Sequence, residues 1–140
     1  YNPELVVDIA TLTGAACVAL GERASALFTS DDDLSKMMEK VGEETGDYLW
    51  RLPMWEEYEN AIKGSLGDWT NIHNKDSRYG GATYGAIFLY QFIKGEDGNG
   101  PKWVHLDIAP RMTSMAGEYL AGGALGTPVR LLYKMIEEYK

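Results

Sequence analysis

The chain has 140 residues, of which 45% are hydrophobic, and a formal net charge of −8. That length and composition fit one globular domain with a moderate core, and the acidity repels phosphate backbones and so excludes nucleic acid as an expected partner. The single cysteine, Cys17, rules out an internal disulfide, while the longest uncharged run, Ile9 to Gly21, is too short and too interrupted by Thr and Gly to span a bilayer, so no membrane partner is expected.

Leu5-Val6-Val7 reads as a strand buried on both faces. Asp8 to Ala15 then compresses a strand end, a polar turn and a helix start: Thr11 and Thr13 can cap the helix, and Gly14 lets a ligand approach the backbone without meeting a Cβ. Ala24 to Thr29 returns as a second extended segment. Ser30 with Asp33 three residues later predicts a capping box, followed by a helix that buries Leu34, Met37, Met38 and Val41. Gly46 ends that helix, Tyr48 to Pro53 is extended, and Trp55 to Ile62 returns to helix. Gly64 to Ile72 is expected to be extended, and His73 to Gly81 to form a polar loop feeding a helix to about Ile93, which buries Ala82, Ala86, Leu89 and Ile93. Glu96 to Pro101 is a Gly-rich turn and Lys102 to Ile108 a strand. A last helix from about Pro128 is expected to place Val129, Leu132, Met135, Ile136 and Tyr139 inward.

Alternating strands and helices predict an α/β domain, layered, with a largely parallel or mixed sheet flanked by helices. Val7-Asp8-Ile9-Ala10 and Leu106-Asp107-Ile108-Ala109 both end predicted strands on Asp-Ile-Ala, which places two loops on one rim of the sheet, where such folds bind ligands. Asp8 is read as a strand-end carboxylate accepting from loop N–H groups. His105 and Asp107 point to one face of a strand but find no third metal ligand nearby in sequence, and His73 is read as a solvated or capping histidine. No nucleotide-binding Gly-rich motif follows any strand, and no Ser-His-Asp arrangement stands out. On the residues alone, the Thr11 to Gly14 turn is either an ordinary capped turn or a cradle for a small anion or peptide terminus, the second making the chain a noncatalytic α/β binding module.

Asp8-Ile9-Ala10-Thr11-Leu12-Thr13-Gly14-Ala15 resembles a signature segment of the leucyl (cytosol) aminopeptidases, the M17 peptidase family. In the same order follow Ala19-Leu20-Gly21, Glu44-Thr45-Gly46-Asp47, Trp50-Arg51-Leu52-Pro53, Asp68 with Asn71-Ile72, Arg78 with Gly80-Gly81-Ala82, and Trp103 to Ala109. The resemblance covers essentially the whole chain. It implies a parent enzyme that releases N-terminal residues, leucine-like ones preferred, from peptide substrates, with two divalent metal ions (Zn²⁺ or Mn²⁺) binding the amine, polarising the scissile carbonyl and activating a water. It also implies a cytoplasmic homohexamer. In that family the metal ligands and the catalytic Lys and Arg lie upstream, around an Asn-Thr-Asp-Ala-Glu-Gly-Arg motif that this sequence lacks. The chain is therefore expected to be the C-terminal portion of an incomplete catalytic domain, residues 1–140, inactive alone, with no catalytic residue and no metal of its own. The substrate-binding positions carried over are Thr11 by the amino end, main-chain groups of Leu12 and Gly14 for the peptide unit past the scissile bond, Ile72 for the next residue, and Ala109 with Met112 as an apolar hollow for the first side chain. Pro110 stands where many members have Gly and stiffens that loop.

Overall fold

Successive side chains of a strand point to opposite faces of its sheet, and in Lys102–Asp107 both faces are covered: Trp103 packs into one apolar cluster, Val104 and Leu106 into another. The fold is built around this strand. A computed structural model describes residues 1–72, 79–113, 115–117 and 122–139. In chain order it contains β1 (Leu5–Ala10), α1 (Gly14–Leu20), β2 (Ser25–Phe28), α2 (Asp32–Thr45), β3 (Leu49–Arg51), α3 (Gly81–Tyr90), β4 (Lys102–Asp107) and α4 (Val129–Glu138). Two short 3-10 segments, Glu56–Ile62 and Ala109–Arg111, complete it. The strands form one sheet in the order β1-β4-β2-β3. β1 is parallel to β4 and β3 to β2, but β2 runs antiparallel to β4. The layered α/β architecture expected from sequence is thus present, with a mixed sheet. Helices α2 and α4 supply Leu34, Met38, Val41, Leu131 and Met135 to one face, and α1 and α3 supply Ala16, Ala82 and Ala86 to the other. Among the described residues no helix is long and apolar enough to cross a membrane.

Several elements depart from the sequence reading. Among the described residues β1 is an edge strand, and its Leu5, Val6 and Val7 are half-buried rather than enclosed on both faces. Asp31, not Ser30, caps α2: its carboxylate accepts from the N–H groups of Asp33 at 3.0 Å and Leu34 at 2.8 Å. The Lys102 ammonium on β4 pairs with the same carboxylate at 2.8 Å, a contact Ser30 could not make. Glu56–Ile62 winds as a 3-10 helix without a side-chain cap. The 64–72 segment does not extend: it folds back through a Lys63–Trp69 bridge. Gly64 lets it do so, because a Cβ there would lie 2.2 Å from the Gly67 carbonyl oxygen. α3 stops at Tyr90 rather than Ile93. His73 and Arg78, singled out in the polar loop, lie outside the described residues.

The rotation of α4 is the largest correction. Its sequence carries apolar residues on two faces: of those expected inward, Met135 is buried and Leu132 and Tyr139 pack against the core, but Val129 and Ile136 are exposed and Leu131 is buried in their stead. Asp47 decides between them. Buried at the end of the Glu44-Thr45-Gly46-Asp47 turn, it accepts from Thr127 Oγ1 and Arg130 Nη2, each at 3.0 Å, and from Leu131 N at 3.3 Å. A carboxylate at the first turn satisfies free N–H groups and the helix dipole, and here it does so from another element.

Two predictions follow from these carboxylates. Asp47→Ala leaves the Thr127 hydroxyl and the Leu131 N–H without their acceptor, and is expected to cost about 1–3 kcal/mol in urea denaturation; an unchanged midpoint would remove Asp47 from this role. The Lys102 ammonium and the Leu34 and Asp33 amides hold the Asp31 carboxyl below its ordinary value of 3.8. A lowered folded value means that its stabilisation is complete above pH 3.8 and is lost as pH falls below it. Asp31→Ala should therefore destabilise at neutral pH by about 1 kcal/mol, with the gap to wild type narrowing in acid denaturation series taken below that pH.

Candidate functional site

Register decides which acidic side chain reaches the loops. In the parallel β1–β4 pair, Asp8 lies opposite His105, and Asp107 lies opposite Ala10, two residues nearer the rim. The two Asp-Ile-Ala triplets are therefore not equivalent in height. Asp107 is fully buried and accepts four hydrogen bonds. Its Oδ1 takes the Leu12 N–H at 3.0 Å and the Ala109 N–H at 3.1 Å. Its Oδ2 takes the Thr13 N–H at 3.0 Å and the Thr13 hydroxyl at 2.7 Å. Thr13 Oγ1 in turn accepts from Ala16 N at 3.1 Å and caps α1. Charge-assisted bonds of this kind are stronger than neutral ones and offset the cost of burying the carboxylate.

The role read for Asp8 thus belongs to Asp107. Asp8 sits farther from the rim and is only half-buried; its Oδ2 accepts from the Trp103 indole at 2.6 Å and its Oδ1 meets His105 Nδ1. His105 is fully buried and lies between the rings of Phe28 and Trp103. His105 and Asp107 do share a face, as read, but Asp107 is spent on these bonds and His105 uses Nδ1 on Asp8, while its buried Nε2 has no hydrogen-bond partner among the described residues. Among the described residues no group of three or more His, Cys, Asp or Glu could hold a metal ion.

On its other side the Thr11 to Gly14 turn meets α3. A Cβ on Gly85 would stand 3.1 Å from Leu12 Cδ2 and 3.3 Å from Thr13 Cγ2, and one on Gly81 would stand 3.1 Å from the Ala15 methyl. The turn is therefore held between a carboxylate and a glycine-bearing helix. Gly85 and Asp107 were missed as site-building residues. Small residues four apart on a predicted helix were the only trace of the first, and the second forms bonds across 94 and 95 positions.

Of the six substrate-binding positions carried over, the fold brings five to one rim. Thr11, Leu12 and Gly14 are exposed on the first loop, with Leu12 37% accessible. Ala109 begins the 3-10 segment of the second loop and is buried together with Pro110, while Met112 just beyond is 56% accessible. Ile72 is 72% accessible at the end of the folded-back segment, and its N–H meets Thr70 Oγ1 at 3.4 Å. No hydrogen bond among the described residues ties it to the other five. As an anion cradle the first loop is already filled: the N–H groups of Leu12 and Thr13 both face the chain's own carboxylate, which disfavours the binding-module reading.

Comparison with known proteins agrees with this architecture. Residues 1–133 match the cytosol aminopeptidase family, catalytic domain. The chain is 44% identical over 136 residues to a probable cytosol aminopeptidase of Azoarcus sp. (strain BH72), covering 97% of this chain and 25% of that protein. Among solved structures, a mutant of tomato leucine aminopeptidase superposes with a TM-score of 0.81 at 36% identity, covering 95% of this chain and 24% of the other. A bottromycin maturation enzyme in complex with Mn gives a TM-score of 0.83 at 35% identity, covering 95% and 28%. The chain thus spans about a quarter of the length of the curated relatives it matches. With its mixed four-stranded sheet, its paired rim loops and a match along nearly its whole length, the chain belongs to the cytosol aminopeptidase family.

Proposed function

We propose that this chain is the C-terminal portion of the catalytic domain of a metal-dependent aminopeptidase and forms the organic wall of its cleft. The observation that carries the reading is the joining of two rim loops through Asp107, in a chain that matches the family's catalytic domain over residues 1–133. Thr11, Leu12 and Gly14 would line the peptide backbone, Ala109 and Met112 would wall the pocket for the first side chain, and Ile72 would meet the following residue. An apolar wall with a mobile thioether favours leucine-like N-termini over charged ones. The residues described here do not fit a metal site. In this reading two divalent ions, Zn²⁺ or Mn²⁺, are held by residues outside the chain, and supply the Lewis acidity and the activated water. A solved relative bound to Mn supports a divalent metal. The parent is further proposed to be a cytoplasmic homohexamer acting on peptides, and the isolated chain to be inactive.

The direct test is hydrolysis of a leucine chromogenic amide by the full-length protein. Turnover should require Mn²⁺ or Zn²⁺ and vanish on chelation, and turnover that survives chelation would overturn the mechanism. Met112→Ala should change the preference between leucine and smaller N-terminal residues by roughly 10-fold or more, with the metal concentration for half-maximal activity unmoved. The opposite pattern would take Met112 out of the pocket.

A further inference from the structure

In a planar trans peptide unit the N–H points opposite to the carbonyl of the preceding residue. The N–H groups of Leu12 and Thr13 both point inward to Asp107, at 3.0 Å each. The carbonyls of Thr11 and Leu12, at the other ends of the same two units, therefore aim away from the carboxylate, on a stretch where both residues are exposed. The second loop differs. Its Ala109 N–H also points to Asp107, but the opposed Ile108 carbonyl is spent on the Arg111 N–H at 2.9 Å. The first loop thus presents two outward acceptors, which suit a ligand that donates, such as an ammonium or a peptide N–H, and repel a carboxylate or phosphate.

We infer that Asp107 is a positioning residue which, through the Leu12 and Thr13 amides, sets the rim to present carbonyl acceptors to a peptide. The reaction it serves rests on the aminopeptidase reading; its hold on the loop does not. An Asn in its place exchanges one acceptor oxygen for an NH₂ donor. Donor would then face donor at Leu12 or Thr13, and the loop would have to turn a peptide unit over, carrying an outward carbonyl inward. A Glu keeps two acceptor oxygens but displaces them by one methylene.

The test uses the full-length protein with Asp107→Asn and Asp107→Glu, read by amide hydrogen exchange and by kinetics on a leucyl peptide. For Asp107→Asn, exchange at Leu12 and Thr13 should quicken by about tenfold or more while the Ser25–Phe28 strand stays protected. KM should rise roughly 10- to 100-fold with kcat moving less, and Asp107→Glu should recover part of both effects. Unchanged exchange at the two amides would overturn the inference, as would faster exchange with KM unmoved. Should Asp107→Asn and Asp107→Glu not fold, Thr13→Val, which removes one bond to the carboxylate together with the cap on Ala16, must quicken exchange at Leu12 as well as at Ala16 and raise KM by less than the Asp107 variants would, and no change at Leu12 would again overturn it. Wild-type protein that cleaves no peptide would defeat the aminopeptidase reading alone, since the exchange measurement still decides whether Asp107 holds the loop.

Discussion

A carboxylate removed from water has to find donors inside the protein, and Asp107 finds them on two loops that are nearly a hundred residues apart. That requirement couples the strand end of β4, the turn after β1 and the cap of α1 into one unit. Because the Thr13 hydroxyl both donates to Asp107 and accepts from Ala16, the start of the helix cannot be displaced without disturbing the carboxylate. The rim is therefore stiff at its base, and the groups it leaves facing outward are determined by those it turns inward.

Carboxylates bind fixed donors elsewhere in the fold as well. Asp8 binds the Trp103 indole and His105 on the sheet face covered by α1 and α3, and Asp47 binds the first turn of α4 on the far side of the molecule. In each case an acidic side chain specifies something that apolar packing leaves open: the rotation of α4 in one, the orientation of two aromatic rings in the other. Hydrophobic burial is non-directional, whereas a carboxylate with two or more fixed donors tolerates little rotation. The family-like turn Glu44-Thr45-Gly46-Asp47, which carries no chemistry in the aminopeptidase reading, acquires a physical purpose on these grounds.

Much of the architecture was legible in local pattern. The i, i+3, i+4 spacing of Leu34, Met37, Met38 and Val41 located the face of α2, and Gly46 its end, because both depend on residues within a few turns of one another. What failed, failed where two local answers were equally good. α4 has apolar residues on two faces, Ser30 and Asp31 are both competent caps, and a strand of Leu-Val-Val type can be central or at an edge. Of the candidate site, the Thr11 to Gly14 turn and the Ala109 to Met112 loop were recognisable from a family signature and from strand-end residues. Their joint anchor was not, since the bonding of loop N–H groups was read for Asp8, and Asp107 was weighed only as a metal ligand beside His105.

By itself, then, the sequence determined the layered α/β class, the course of the principal helices and strands, the family, and the two loops that belong to the rim, all of which rest on residue types and short-range spacing. Only the tertiary structure decided the mixed strand order, the rotation of α4 and the division of labour between two identical acidic motifs. The last of these turns on the register of β1 against β4: sliding one strand by two residues keeps every side chain on its own face of the sheet, yet changes which carboxylate stands at the height of the loops.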